Sequence, residues 1–163
     1  MSSVDRLLEN SRAYAAGFAK GDLAAPPAKR VAVLACMDAR LDPARLLGLE
    51  EGDAHVVRNA GGAVTDDAIR SLAISQHLLG TEEIVLIQHT HCGMQGASED
   101  EMAEALERAS GERPPWPLHA FEDLETNLRE SLRTLRESPF ILDSATVRGF
   151  VYDVKTGELR EVQ

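Results

Sequence analysis

Two thiols and an imidazole offer the most distinctive chemistry in this chain. Cys36 stands in the run Cys36-Met37-Asp38-Ala39-Arg40, and His89 and Cys92 stand in His89-Thr90-His91-Cys92-Gly93. Thiolate and imidazole suit zinc, and a catalytic zinc site keeps three protein ligands with a fourth place for water. A lone His-x-x-Cys pair is a weak signal. Paired with a Cys-x-Asp-x-Arg run elsewhere in the chain, it becomes a strong one. Taken singly, either cysteine reads more readily as a small buried hydrophobe. A redox dithiol would usually show Cys-x-x-Cys, which this sequence lacks. Cys36, His89 and Cys92 are therefore the candidate ligands, with one zinc ion per subunit.

Those residues lie up to 56 positions apart, so secondary structure must gather them. Val31-Ala32-Val33-Leu34-Ala35 is a continuous apolar run, as expected of a strand buried on both faces. Ala54 to Val57, Ile84 to Ile87, and Val147 to Asp153 read as further strands. Glu158 to Val162 reads as a short last one, reached through a turn at Lys155-Thr156-Gly157. Helices fall between them. Asp42-Pro43 opens a short one that ends near Gly48, and Thr65-Asp66-Asp67 opens another that runs to Gly80. Ser98 to Ala109 carries a capping box of Ser98 and Glu101. Residues 121–136 place Leu124, Leu128, Leu132 and Leu135 in one stripe.

This alternation predicts an α/β fold: a mainly parallel sheet of about four strands plus a short C-terminal strand, flanked by helices. Ligand sites in such sheets lie beyond the carboxyl ends of strands. The first strand ends directly before Cys36 and the third near Gln88, directly before His89, so both thiols should reach one sheet edge. Residues 1–163 are expected to form one domain, with 1–28 an N-terminal arm and linker. In that arm, residues 3–20 form a helix with Val4, Leu7, Leu8, Ala15 and Phe18 near helical spacing, and Pro26-Pro27 then stiffens the connector. An arm with one apolar stripe must bury it on its own domain or on a partner chain.

Composition bounds the partners. Lys and Arg total 17 against 27 Asp and Glu, a formal charge of −10, and such a chain repels phosphate backbones. Nucleic acid is not an expected partner. Nor is a membrane, since no apolar run approaches about 20 residues. The N-terminus lacks the pattern of a secretory signal, and two cysteines suit a reducing cytoplasm better than a disulfide scaffold.

Together, Cys36-Met37-Asp38-Ala39-Arg40, Arg58-Asn59-Ala60-Gly61-Gly62 and His89-x-x-Cys92-Gly93 resemble the β-class carbonic anhydrases. The motifs span residues 30–95, and the order of helices and the C-terminal strand extend the likeness over nearly the whole chain. The resemblance implies reversible hydration of carbon dioxide to bicarbonate, with zinc on Cys36, His89 and Cys92 and a catalytic pair of Asp38 and Arg40. Two thiolates and a neutral imidazole cancel the ion's charge, so zinc acidifies its water less than with three histidines. A carboxylate that accepts a hydrogen bond from the hydroxide would orient its lone pair toward carbon dioxide, and Asp38 is the candidate. Asp38 could instead ligate zinc and close the site; Arg40 can hold it away through a bidentate pair. The family is known in both forms.

The resemblance also implies an active site at a homodimer or larger homo-oligomer interface, with the arm embracing the neighbour. Gly61, Gly62 and Val64 are candidate walls for a small apolar substrate. The chain departs from the family at one position: His91 stands where Asp is common, and its imidazole is a candidate proton shuttle. His55, His77 and His119 have no ligand-like spacing, and Trp116, among Pro114, Pro115 and Pro117, reads as a packing anchor. Two rival functions fit the same motifs: hydrolysis of carbon disulfide or carbonyl sulfide, and a non-catalytic zinc- or bicarbonate-binding module.

Overall fold

The structure, a computed structural model, describes residues 2–163. Five strands form one sheet: β1 (Val31–Cys36), β2 (Ala54–Asn59), β3 (Glu83–His89), β4 (Thr146–Tyr152) and β5 (Leu159–Val162). Their spatial order is β2-β1-β3-β4-β5; all neighbours are parallel except β4 and β5. The chain thus adds β2 on one side of β1, then crosses back and adds β3 on the other. That reversal leaves a crevice beyond the carboxyl ends of β1 and β3, where doubly wound sheets bind their ligands.

The apolar run at β1 is central, and residues Ala32 to Ala35 have no exposed surface. Both faces of a central parallel strand are covered, which is why its sequence does not alternate. Helix α3 (Asp66–His77) packs on β1 and β2, and α5 (Leu124–Glu137) packs on β4, β3 and β5. The Leu124, Leu128, Leu132 and Leu135 stripe of α5 is buried. It presses so closely on β4 that a Cβ on Gly149 would stand 2.7 Å from Leu132 Cδ1.

Local chemistry sets the helix starts. Asp42 caps α2 (Pro43–Leu47), Thr65 caps α3 and Asp123 caps α5, each side chain accepting from amides of the first turn. Ser98 and Glu101 form the expected capping box of α4 (Glu99–Ser110). Some boundaries differ from the periodic reading. α5 begins at Leu124 rather than 121, because Asp123 takes the cap, and α3 stops at His77, short of Gly80. β3 runs on to His89, so this residue is the strand's last rather than the first beyond it.

The first helix, α1, spans Ser3–Ala16, shorter than 3–20, with Ser2 and Asp5 forming its capping box. None of its residues is buried; Leu7 remains 64% exposed. The arm is pinned at its far end, where Tyr14 donates to Glu51 and Lys20 pairs with Glu50 and Glu51. Among the described residues, no helix is long and apolar enough to cross a membrane.

The tight packing of α5 on β4 yields a prediction. Gly149→Ala should lower stability by about 1–3 kcal/mol, since buried Leu132 must shift to make room. Urea denaturation of the two proteins measures it, and equal midpoints would mean that Leu132 yields freely.

Candidate metal centre

β1 delivers Cys36 and β3 delivers His89 to the crevice, and the turn after β3 returns Cys92 to the same place. One ligand atom from each lies within 4.8 Å of the others, and all three residues are buried. The two sulfurs are 3.9 Å apart. Two thiolates on one tetrahedral zinc, with bonds of about 2.3 Å, would stand about 3.8 Å apart. The spacing of the sulfurs therefore fits the ion.

His89 gives the sharper test of fit. Its Nδ1 lies 2.9 Å from the Thr90 carbonyl oxygen, which can only accept, so Nδ1 carries the proton. That leaves a lone pair on Nε2, which is wholly buried and has no hydrogen-bond partner. A buried polar atom without a partner is costly unless something else meets it. Two cysteine sulfurs lie beside it, so a soft divalent cation is what this atom lacks.

The thiols show the same need. Cys36 ionises far more readily than a free cysteine: the Cys92 thiol donates to its sulfur, and His89 and the backbone amides of Asp38 and Gly61 add to this, outweighing burial. Cys92 shifts the other way, because its proton is held by the Cys36 thiolate and burial opposes a second charge. Without a cation the pair shares one proton; with one, both can ionise. For His89, burial disfavours the charged form, but the Cys36 sulfur, the Thr90 carbonyl and the Asp38 carboxylate outweigh it and raise its pKa.

Asp38 borders this group without entering it. Its Oδ2 stands 3.7 Å from His89 Nε2. Arg40 occupies both carboxylate oxygens: Nε donates to Oδ1 at 2.9 Å, Nη2 to Oδ2 at 2.7 Å, and the Arg40 amide to Oδ1 at 2.9 Å. The guanidinium and amide hold the carboxyl well below the usual carboxylate range. Arg40 is itself fixed, since Nη2 also donates to the His91 carbonyl at 3.0 Å.

The glycine turn after β2 closes the floor. Asn59 braces it, with Nδ2 donating to the Ala63 carbonyl and Oδ1 accepting from the Ala63 amide, each at 2.8 Å. Gly62 has φ +61°, and a Cβ there would lie 3.0 Å from both the Cys36 nitrogen and the Ile87 oxygen. Only glycine lets the turn approach β1 and β3 so closely.

The other expected residues fall differently. His91 is exposed and outside the ligand group, with an unusual φ of +55°; the bond it makes to the site comes from its carbonyl. Val64 lines a cavity of about 300 Å³ with Ala63, His119, Asn127, Glu130, Ser131 and Thr134, none of them ligands. Trp116 is 57% exposed on the wall of a neighbouring cavity of about 550 Å³, so it is not a packing anchor; the three prolines beside it and a short loop give it no core to enter. His55 bonds to Ser75 and His77 to the Phe140 carbonyl, away from the metal group. Sequence reasoning assigned Arg58 no role, yet its guanidinium binds three carbonyls of the loop carrying Cys36 and Asp38. Backbone acceptors leave no mark on a sequence.

The sequence profile of the carbonic anhydrase family matches residues 31–159. The chain belongs to the β-carbonic anhydrases. Beta-carbonic anhydrase 1 of Mycobacterium tuberculosis is 51% identical over 162 residues, 99% of each chain. A crystal structure of carbonic anhydrase from Streptococcus mutans superposes with a TM-score of 0.94 at 43% identity, covering 100% of this chain and 99% of the other. Carbon disulfide hydrolase of Acidithiobacillus thiooxidans is 37% identical over 155 residues, 83% of this chain and 78% of its own. Carbonic anhydrases of this class are zinc lyases, and the Cys36, His89 and Cys92 group is suited to that ion.

Replacing a ligand should empty the centre. Cys36→Ser and Cys92→Ser are each expected to lose stoichiometric zinc on dialysis, measured by elemental analysis. Zinc retained at one ion per chain in either variant would show that the ligand set is different.

Proposed function

We propose that this β-carbonic anhydrase hydrates carbon dioxide reversibly to bicarbonate and a proton, with Cys36, His89 and Cys92 as the zinc ligands and Asp38 and Arg40 as the catalytic pair. The observation that carries this reading is the free, buried Nε2 of His89, facing two thiols with the Asp38 carboxylate 3.7 Å away. When bound, zinc supplies the Lewis acidity that brings the pKa of water toward neutrality. Asp38 accepts a hydrogen bond from the attacking nucleophile and so aims its lone pair at the substrate carbon. Arg40 keeps both carboxylate oxygens engaged, which holds Asp38 out of the ligand set and leaves the fourth place open. A structural zinc site has no use for such a pair, which weighs against a purely binding module.

Gly61, Gly62 and Val64 are proposed as walls near the substrate, the glycines because their turn touches the strands that carry the ligands. The imidazole of His91 is proposed to pass protons to solvent; its exposure supports this. Carbon disulfide hydrolysis remains the second reading, favoured by the 37% identical relative that bears that name.

The assembly is proposed to be a homodimer or larger homo-oligomer, in the cytoplasm, where Cys36 and Cys92 stay reduced. Support for a partner subunit comes from α1, whose Val4, Leu7 and Leu8 side chains all lie exposed on a well-capped helix.

Three outcomes test this reading. Asp38→Ala should keep its zinc while carbon dioxide hydration, measured by stopped flow, falls about a hundredfold; undiminished hydration would remove Asp38 from the mechanism. The unaltered protein should hydrate carbon dioxide far faster than it consumes carbon disulfide, and the reverse would favour the second reading. For the assembly, Leu7→Asp with Leu8→Asp should shift sedimentation toward the monomer, and an unchanged profile would place the contact elsewhere.

A further inference from the structure

Arg58 is the last-but-one residue of β2, and its side chain reaches across to the loop that leaves β1. Nε and Nη2 both donate to the Cys36 carbonyl, at 3.0 and 2.9 Å. Nη2 also donates to the Asp38 carbonyl at 2.8 Å and to the Leu41 carbonyl at 2.7 Å. Three backbone oxygens from a six-residue stretch thus converge on one cation. Carbonyl dipoles pointed at a common spot repel one another, so the loop needs a positive group to hold this curl. No carboxylate competes for that group: among the described residues, Arg58 forms no salt bridge. Its charge is directed wholly at the backbone.

The stretch it binds holds one zinc ligand and both members of the catalytic pair. Its far end is anchored by Leu41, which is buried in the core, and its near end by the Met37 amide donating to the Asn59 carbonyl. Between those anchors, Asp38 and Arg40 depend on the path of the backbone. Arg40 sets where the Asp38 carboxylate points and ties its own end to the His91 carbonyl, but it makes no bond to the loop's backbone oxygens. Arg58 approaches from a different strand and binds those oxygens directly.

Resting on the proposed function, we infer that Arg58 is a positioning residue for the zinc centre: its hydrogen bonds to the Cys36, Asp38 and Leu41 carbonyls set where the Cys36 sulfur and the Asp38 carboxylate stand relative to the metal. A lysine has three donors of its own, but it lacks the paired Nε and Nη2 that meet the Cys36 carbonyl together. Partners one step removed from a metal commonly change affinity or activity by about 10–100-fold when replaced.

The test uses the full-length protein with Arg58→Gln and Arg58→Lys. Zinc affinity is read by competition with a chelator, the geometry of the centre by the visible absorption of the cobalt(II)-substituted proteins, and kcat and KM per bound metal by stopped flow. Thermal unfolding gives the structural baseline. The expected result for Arg58→Gln is zinc affinity weaker by about tenfold or more, an altered cobalt spectrum and a kcat per metal that falls more than KM rises. Arg58→Lys should recover part of each. A variant that unfolds at lower temperature but matches the parent in affinity, spectrum and kcat per metal would overturn the inference, leaving Arg58 merely structural. Should Arg58→Gln not fold, Arg58→Lys decides alone, and parental values in all three readouts would refute the inference. If the unaltered protein binds zinc but hydrates no carbon dioxide, the functional reading fails while the affinity and spectral arms still judge Arg58.

Discussion

Two buried sulfurs 3.9 Å apart, next to an imidazole nitrogen with nothing to bond, form an arrangement that only a cation stabilises. In the absence of one, the Cys36 thiolate and burial oppose ionisation of the second thiol, and the buried His89 Nε2 has no hydrogen-bond partner. Folding energy from elsewhere must hold this cluster together. The rigid centre of the sheet supplies it: β1 is buried from Ala32 to Cys36 and is flanked on both sides by parallel strands. A site that needs ligand atoms placed to a fraction of an ångström is built on strands rather than on free loops.

The same sheet explains how ligands so distant in sequence meet. In the order β2-β1-β3-β4-β5, the chain reverses direction of growth at β1, and the crevice between β1 and β3 opens at their carboxyl ends. Cys36 closes β1 and His89 closes β3, so the pairing register carries them to the same edge. The glycine turn after β2 then fills the space beneath, in a contact too close for any Cβ at Gly62. Topology, register and one glycine together define the crevice.

Much of this was legible in the sequence because the signals are chemical or periodic. The apolar run of β1, the leucine stripe of α5 and the thiol and imidazole motifs at strand ends all express burial or coordination directly through residue type. What escaped reading depends on geometry or on the backbone. The end of α1 at Ala16 follows from local capping at Gly17, though apolar spacing continues to Phe18. The exposure of Trp116 follows from a loop path that residue type does not encode. His91 drew attention for its ring, while its carbonyl makes the bond to Arg40. Arg58 was visible only as part of a motif, since all its acceptors are main-chain oxygens.

Charge balance at the centre connects these parts. Two thiolates cancel the charge of a divalent ion, so the ligand set proposed for zinc would also weaken its effect on water. A nearby carboxylate can make up the difference by orienting the nucleophile, but an anion so close to a metal will tend to bind it. In the proposed mechanism Asp38 is therefore useful only while something stronger holds it. Arg40 does this through three hydrogen bonds to the two carboxylate oxygens, from its guanidinium and its own amide. That restraint works only if the loop bearing both residues is fixed in turn. On the proposed mechanism the need for each arginine follows from the choice of thiolates: one guanidinium would hold a side chain away from the metal, and a second, on another strand, would hold the backbone that carries it.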